Sequence, residues 1–363
     1  MKVKSKIFET ITIGEHRLKN RIVMAPMTRS RAETNGVPTD IMSAYYSQRA
    51  SAGLIISEAT QISLNGKSYP NTPGIYSKQQ IKGWKKVTDG VHEAGGKIFI
   101  QLFHGGRISH PDTQGGKIPM APSEIKPEGA IHTFPFGKKK QFITPRAIES
   151  TEIKEIVHQF GVAAKNALDA GFDGIEIHAA NGYLIDQFLR DSTNKRTDAY
   201  GGSYQNRSRI LLEIIQETGK YFNLQHIGVR LSPLNNFNDI SDSNPLGLYS
   251  YLLEELNSFK LAYVHFVEDG LTSKNLDFFN GVSLTLGKYY NGKVMGNGNY
   301  TFERADSEIL EGVVDFVSFG KLFISNPDLP KRFMLETEFN IPDENSYYSG
   351  GKRGYIDYES LEG

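Results

Sequence analysis

An alternation constrains this chain more than anything else in it. Eight short apolar runs are each followed by a helical pattern, and polar residues gather where the runs stop. The runs cover 21–24, 54–58, 97–102, 174–178, 227–231, 262–267, 293–296 and 316–319, and they are rich in Ile, Val, Leu and Phe. Nearly continuous apolar character is the mark of parallel strands buried on both faces. Helical periodicity occupies 38–50, 78–94, 151–170, 206–221, 247–259, 282–290, 302–311 and 327–337. Ser150 and Thr151 ahead of Glu152 and Glu155 form a capping arrangement, and Gly95 and Gly171 close helices just before strands. Eight such units predict a single α/β domain over 1–363, a (β/α)₈ TIM barrel whose active site lies at the C-terminal ends of its strands.

A barrel of this kind takes about 250 residues, so a chain of 363 leaves room for additions. Residues 6–19 read as an antiparallel N-terminal hairpin that caps the barrel bottom. A Pro- and Gly-bearing insertion at about 104–149, with a hairpin near 134–142, follows the third strand. Loops that long usually cover or shape a site, so it is expected to act as a lid.

Charge and cysteine content narrow the function classes. Lys plus Arg (41) equals Asp plus Glu (41), so no overall field favours nucleic acid or an anionic membrane. The run Lys138-Lys139-Lys140 reads as a solvated hairpin tip. No apolar stretch approaches a membrane span and no apolar signal core opens the chain, which leads us to expect a cytoplasmic protein. Cysteine is absent, which removes disulfides, thiolate metal ligands and any cysteine nucleophile. No HExxH occurs, and His178-x-x-Asn181 is not a usual ligand set, so no metal is expected. Among the nine histidines, His16, His92, His158 and His226 read as surface or helix-packing residues, while His104 and His110 suit either a pocket wall or the core.

The strand ends carry the chemistry. The fourth run empties into Gly174-Ile-Glu-Ile-His178-Ala-Ala-Asn181-Gly-Tyr183. His178 and Asn181 together offer two donors to one oxygen, as polarising a carbonyl or nitro group requires. Tyr183 adds a phenol, a competent acid when the carbon receiving its proton is far more basic. Gln101 ends the third run with an amide suited to the alternating C=O and N–H edge of a flavin pyrimidine. Thr28 follows the first run, and Arg230 ends the fifth as a guanidinium that needs a partner. After the seventh and eighth runs come Gly296-Asn-Gly298-Asn299 and Gly320-Lys321, where barrels commonly bind phosphate through backbone N–H groups.

With these residues in place the chain resembles the Old Yellow Enzyme family, from about Phe8 to Tyr358. The matching segments are Asn20-Arg-Ile-Val-Met-Ala-Pro26-Met27-Thr28-Arg29, Gln101-Leu-Phe103-His-Gly-Gly-Arg-Ile-Ser-His110, Glu176-Ile-His178-Ala-Ala-Asn181-Gly-Tyr183, Arg196-Thr-Asp-Ala-Tyr-Gly-Gly202, Ile324-Ser-Asn-Pro-Asp328 and Gly354-Tyr355-Ile-Asp-Tyr358. With Thr28 rather than a cysteine after Pro26-Met27, it is similar to the classical branch, near bacterial N-ethylmaleimide and nitrate-ester reductases.

The resemblance implies an FMN-dependent ene-reductase, working by ping-pong hydride transfer from NADPH or NADH to small activated alkenes, as monomer or homodimer. It implies that Pro26, Met27, Thr28, Ala59, Gln101 and Arg230 contact the isoalloxazine ring, and that Gly298, Asn299, Gly320 and Lys321 hold the phosphate. His178 and Asn181 would bind the substrate oxygen and Tyr183 would protonate the α-carbon, in a pocket also lined by Tyr69, Phe103 and Tyr355.

Two positions depart from the family pattern: Phe103 stands where Trp is usual, and Lys321 where Arg is usual. Two other readings stay open at this point. One is a barrel enzyme acting on a phosphorylated substrate without flavin, with Glu58 as a strand-end base. The other is a flavin-binding protein without catalysis, which would have no use for His178, Asn181 and Tyr183 together.

Overall fold

Eight parallel strands close on themselves in a computed structural model that describes residues 5–134, 137–270, 276–278 and 280–361. They are β1 (Ile22–Met24), β2 (Leu54–Ile56), β3 (Ile98–Phe103), β4 (Gly174–Ala179), β5 (Ile227–Leu231), β6 (Tyr263–Val267), β7 (Val294–Asn297) and β8 (Phe316–Phe319). Each pairs with its sequence neighbour, and β8 returns to β1 through Val317 opposite Ile22 and Phe319 opposite Met24. Every apolar run of the sequence falls on one of these strands, with ends moved by a residue or two. Nearly all of their residues are buried, as strands covered on both faces must be.

Helices ring the barrel: α1 (Asp40–Ser47), α2 (Lys78–Glu93), α3 (Ser150–Asp169), α4 (Tyr204–Thr218), α5 (Pro245–Leu256), α6 (Val282–Leu286), α7 (Phe302–Leu310) and α8 (Leu329–Leu335). At α2, Ser77 Oγ accepts from the Gln80 amide (3.2 Å) while Gln80 Oε1 accepts from the Ser77 amide (3.1 Å), a reciprocal capping box. The cap of α3 lies one residue earlier than the sequence suggested. Glu149 is its N-cap, and Glu152 accepts from the Glu149 amide at 2.9 Å. Ser150 is not available for that role because its hydroxyl donates to Asp198 Oδ2 at 2.9 Å. Two short helices, Leu184–Leu189 and Lys321–Ser325, have no counterpart in the sequence reading, since five or six residues are too few to show a helical period.

The N-terminal hairpin is shorter than expected. Lys6–Phe8 forms a single 3₁₀ turn, and antiparallel pairing is confined to Ile11–Ile13 with His16–Leu18. Ile13 and Leu18 pack with Val23, Leu54, Ile56, Phe99, Tyr263, Met295 and Phe316. This apolar floor seals the N-terminal end of the barrel, so polar side chains higher in the interior meet water only from the mouth.

The insertion at 104–149 crosses that mouth. It contains the parallel pair Met120–Ala121 with Arg146–Ala147 and the antiparallel pair Ala130–Thr133 with Lys138–Gln141. The tip at 135–136 lies outside the described residues. The three lysines sit on the exposed arm, where Lys140 reaches Asp112 at 2.6 Å. From this insertion Ile108, Ile131 and Phe142 pack against Phe103 and Tyr183, so it covers the strand ends. Among the described residues no helix is long and apolar enough to cross a membrane.

Candidate active site

His178 lies on β4, in register with Arg230 on β5, and both point into the barrel mouth. The chain then turns through Asn181 (φ +59°) and Gly182 (φ +75°) before Tyr183. The turn is packed too tightly for a side chain at its second position: a Cβ on Gly182 would lie 2.7 Å from the Phe237 carbonyl oxygen. Its effect is to bring an imidazole, an amide and a phenol together. The His178 and Tyr183 rings are 5.1 Å apart between centroids, and Phe103 meets Tyr183 edge-on at 4.6 Å. The Tyr69 and Tyr183 hydroxyls share a hydrogen bond of 3.1 Å.

The protonation states follow from burial. His178 is held well below the ordinary imidazole value, first by desolvation and then by the nearby Arg230 and His265, so it is neutral at physiological pH. Its Nδ1 is buried without a hydrogen-bond partner among the described residues. Burial pushes the Tyr183 phenol up, against the opposing hydrogen bonds from Tyr69 and Asn238, so it keeps its proton.

Asn181 is held as a donor. Its Oδ1 accepts from Asn235 Nδ2 (3.1 Å), its backbone N–H donates to Ser232 Oγ (2.7 Å) and its carbonyl accepts from Asn238 Nδ2 (2.7 Å). With the carbonyl end of the amide occupied, the NH₂ end is left for another partner.

Across the mouth, Pro26, Met27, Thr28 and Ala59 remain partly accessible although the strands they follow are fully buried. Gln101 and Arg230 rise from β3 and β5. Gln101 donates to Glu176 Oε1 (2.7 Å), and Arg230 Nη2 donates to Asn297 Oδ1 (2.6 Å). Arg230 Nε is buried and unpartnered among the described residues.

After β7, Gly298 takes φ +133°, and a Cβ there would come within 3.2 Å of Asp269 Oδ1 and 3.4 Å of Glu268 Cβ. Gly320 caps the short helix opened by the exposed Lys321, and a Cβ on Gly320 would lie 3.5 Å from Met27 Sδ. The two glycine turns therefore border the same edge of the mouth as the Met27 stretch.

Buried orphan donors, a ring-edge amide and a glycine-lined strand-end cradle suit a planar heterocycle carrying a phosphate. That is the shape of FMN. The arrangement defines a flavin-dependent barrel oxidoreductase.

The chain belongs to the NADH:flavin oxidoreductase / NADH oxidase family, whose model matches residues 6–340. It is 41% identical to the flavin oxidoreductase hxnT of Emericella nidulans, over 97% of both chains. It is 40% identical to a probable flavin mononucleotide-dependent alkene reductase of Leishmania infantum, over 97% of this chain and 96% of that one. The solved Old Yellow Enzyme homologue of Zymomonas mobilis superposes with a TM-score of 0.93 at 40% identity, over 98% and 99% of the two chains. The protein is thus an FMN- and nicotinamide-dependent oxidoreductase of the Old Yellow Enzyme, or ene-reductase, type.

Not every sequence candidate joins the group. Tyr355 is fully buried, stacked on Tyr45 at 4.0 Å, with the Arg29 and Arg31 guanidinium groups over its ring. The C-terminal tyrosine near Tyr69 and Tyr183 is instead the exposed Tyr348, close enough to raise both phenols. His104 and His110 each accept a backbone N–H from two residues ahead (Gly106 at 3.1 Å, Asp112 at 3.2 Å) and so hold the base of the lid. Burial lowers His104 to about 3.

Glu58 is fully buried and accepts from the Arg29 amide and the Tyr46 hydroxyl, both at 3.3 Å, which makes it a strut rather than a strand-end base. Among the described residues one grouping could hold a metal, Glu15, His16 and His226, and it lies at the opposite end of the barrel.

Sequence reasoning missed Asn235 and Asn238, which sit in an irregular loop without periodicity. It also passed over Glu176 and His265. The signal for those two was present: an ionisable residue in the middle of an otherwise apolar strand has to be paired within the barrel.

Proposed function

We propose that this enzyme reduces the C=C bond of small activated alkenes such as enones, maleimides and nitroalkenes, with His178, Asn181 and Tyr183 as its working groups. The supporting observation is their convergence: a neutral imidazole with an orphan nitrogen, an amide fixed as a donor and a protonated phenol share one pocket above Phe103.

Pro26, Met27, Thr28, Ala59, Gln101 and Arg230 would hold the isoalloxazine ring of FMN, and Gly298, Asn299, Gly320 and Lys321 its phosphate. When bound, FMN supplies hydride-transfer chemistry between NAD(P)H and the alkene. His178 and Asn181 donate hydrogen bonds to the electron-withdrawing oxygen and stabilise the charge that develops there. Each such donor is typically worth about a hundredfold or more in rate. Tyr183 delivers its phenolic proton to the α-carbon, and Tyr69 keeps the phenol oriented through their shared hydrogen bond. Phe103, Tyr69 and the lid residues Ile131 and Phe142 exclude water from the reacting carbons. Tyr348, rather than Tyr355, completes the wall on the C-terminal side.

The test is a visible spectrum of the purified protein followed by anaerobic NADPH and then cyclohexenone. A yellow protein that bleaches and then recovers its colour supports both half-reactions. A protein that stays colourless with added FMN points back to a barrel acting on a phosphorylated substrate. One that bleaches without recovering is a flavoprotein for which activated alkenes are not the oxidant.

A further inference from the structure

Beneath the mouth, four inward side chains from four strands form one chain of hydrogen bonds. Gln101 Nε2 on β3 donates to Glu176 Oε1 on β4 at 2.7 Å. Glu176 Oε2 meets His265 Nδ1 on β6 at 2.9 Å, and His265 Nε2 meets Ser318 Oγ on β8 at 2.8 Å. Glu176 and His265 are both fully buried.

The directions of these bonds are set by chemistry. A carboxylate only accepts, so the Gln101 amide must turn its nitrogen toward Glu176, and His265 must carry its proton on Nδ1. Ser318 then donates to Nε2. Burial works against the charge on Glu176, yet His265, Arg230 and Gln101 hold it below the ordinary glutamate value. Burial keeps His265 neutral. The carboxylate is therefore ionised, enclosed between the apolar floor and the mouth, and electrostatically coupled to Arg230.

A buried charge of this kind is rarely the best route to stability, since well-packed apolar residues serve as well or better. Its position suggests another use. Residues two apart on a strand share a face, so Glu176 lies one layer below His178, and in register with Gln101. It touches Gln101, one of the groups assigned to the flavin ring, and opposes the charge of another, Arg230.

We propose that Glu176 is a positioning residue of the flavin site. Its carboxylate fixes the orientation of the Gln101 amide, and its negative charge offsets Arg230, so that it sets how strongly the site favours reduced flavin. This rests on the reading above that Gln101 and Arg230 face the isoalloxazine ring. A full positive charge on Arg230 stabilises an anionic reduced ring, and a fixed negative charge below it weakens that preference.

The experiment measures the FMN dissociation constant and the midpoint potential of bound flavin in the parent, Glu176→Gln, Glu176→Asp and Gln101→Leu proteins. Glu176→Gln keeps the shape and removes the charge. Its potential should move to less negative values by tenfold or more in the reduction equilibrium, about 30 mV for two electrons. Glu176→Asp keeps the charge and should stay within threefold of the parent. A Glu176→Gln protein that binds FMN with unchanged potential overturns the proposal, as does an equal shift in Glu176→Asp, which would report packing alone. If Glu176→Gln does not fold, the pair Glu176→Met with His265→Leu carries the same test, because it removes the charge without leaving the buried imidazole N–H unpaired. Failure of the underlying reading looks different. In that case Gln101→Leu leaves the FMN dissociation constant unchanged, or the parent protein binds no FMN at all.

Discussion

The Tyr69 and Tyr183 hydroxyls are 3.1 Å apart, so one phenol donates to the other in the covered mouth of the barrel. Burial raises both above the ordinary tyrosine value; Tyr183 raises Tyr69 further, whereas the hydrogen bond from Tyr69 works against the rise at Tyr183. A phenol so placed keeps its proton through the physiological range and can give it up only to a strongly basic atom. The α-carbon of an activated alkene, left carbanionic when hydride adds to the β-carbon, is such an atom. Tyr183→Phe should therefore slow alkene reduction by about 10²-fold or more and leave reduction of the flavin by NADPH nearly unchanged. Stopped-flow measurement of the two half-reactions separates them, and loss of the NADPH half-reaction would contradict the assigned role.

With Asn181 as the proposed donor to the substrate oxygen, Asn235 is expected to act on substrate through it. Its amide occupies Asn181 Oδ1 at 3.1 Å, which leaves the NH₂ group of Asn181 facing outward. In Asn235→Ala the Asn181 amide loses this restraint and can rotate. Enone binding should weaken by several-fold, in line with about 1 kcal/mol for one hydrogen bond, with FMN affinity preserved. Titrating the oxidised holoenzyme with a non-reacting carbonyl analogue reads this directly, and an unchanged dissociation constant would remove Asn235 from the mechanism.

Phe103 is edge-on to Tyr183 and 5.8 Å from the His178 ring, so in the proposed site its size would set the space above the reacting carbons. Phe103→Trp adds a second ring against Ile131 and Phe142 of the lid, and the substrate has to tilt to fit. The enantiomeric ratio from a substituted cyclohexenone should change. An identical product ratio would show that facial choice is made elsewhere in the pocket.

Lys321 is exposed at the start of a five-residue helix, beside the Gly320 cap. An ammonium binds phosphate as a point charge, whereas a guanidinium offers a planar fork of donors. Lys321→Arg should tighten FMN several-fold, measured by fluorescence quenching as apoprotein is titrated with the cofactor. Unchanged or weaker binding would mean that the backbone N–H groups of the two glycine turns, and not this side chain, set the affinity.

The barrel was legible because burial on both faces writes its own signature, eight short runs of Ile, Val, Leu and Phe with helical periods between them. The strand-end groups were legible for a related reason: His178, Gln101 and Arg230 interrupt apolar runs where they stop. Contacts that depend on which strands neighbour each other inside the barrel were not. Glu176 and Gln101 are 75 residues apart in sequence and meet through the β3–β4 register, while Glu176 and His265 are 89 apart and meet only across the barrel interior. The choice between Tyr348 and Tyr355 was also hidden. Both lie in an irregular C-terminal segment without a period to show which side faces in. Its course is set by Arg29 and Arg31, which bind its carbonyls at Gly354 (2.8 Å) and Ser346 (2.7 Å).

Glu58 links this frame to pH. It is fully buried against the Arg29 amide and the Tyr46 hydroxyl, and burial raises it to about 7 despite the opposing hydrogen bond and charge of Arg29. A carboxyl whose folded value exceeds its unfolded one binds its proton more tightly in the native state. Its contribution to stability is complete below the ordinary value of 4.5 and is lost as pH rises through about 7. The difference between these values corresponds to about 3 kcal/mol. Glu58→Gln has no proton to lose, so its stability relative to the parent should rise between pH 5 and pH 8 as the parent alone loses this contribution. Urea unfolding of both proteins at the two pH values tests this. A gap of constant size would show that Glu58 is ionised in the folded protein throughout, held by Arg29 and Arg31 more strongly than burial opposes it.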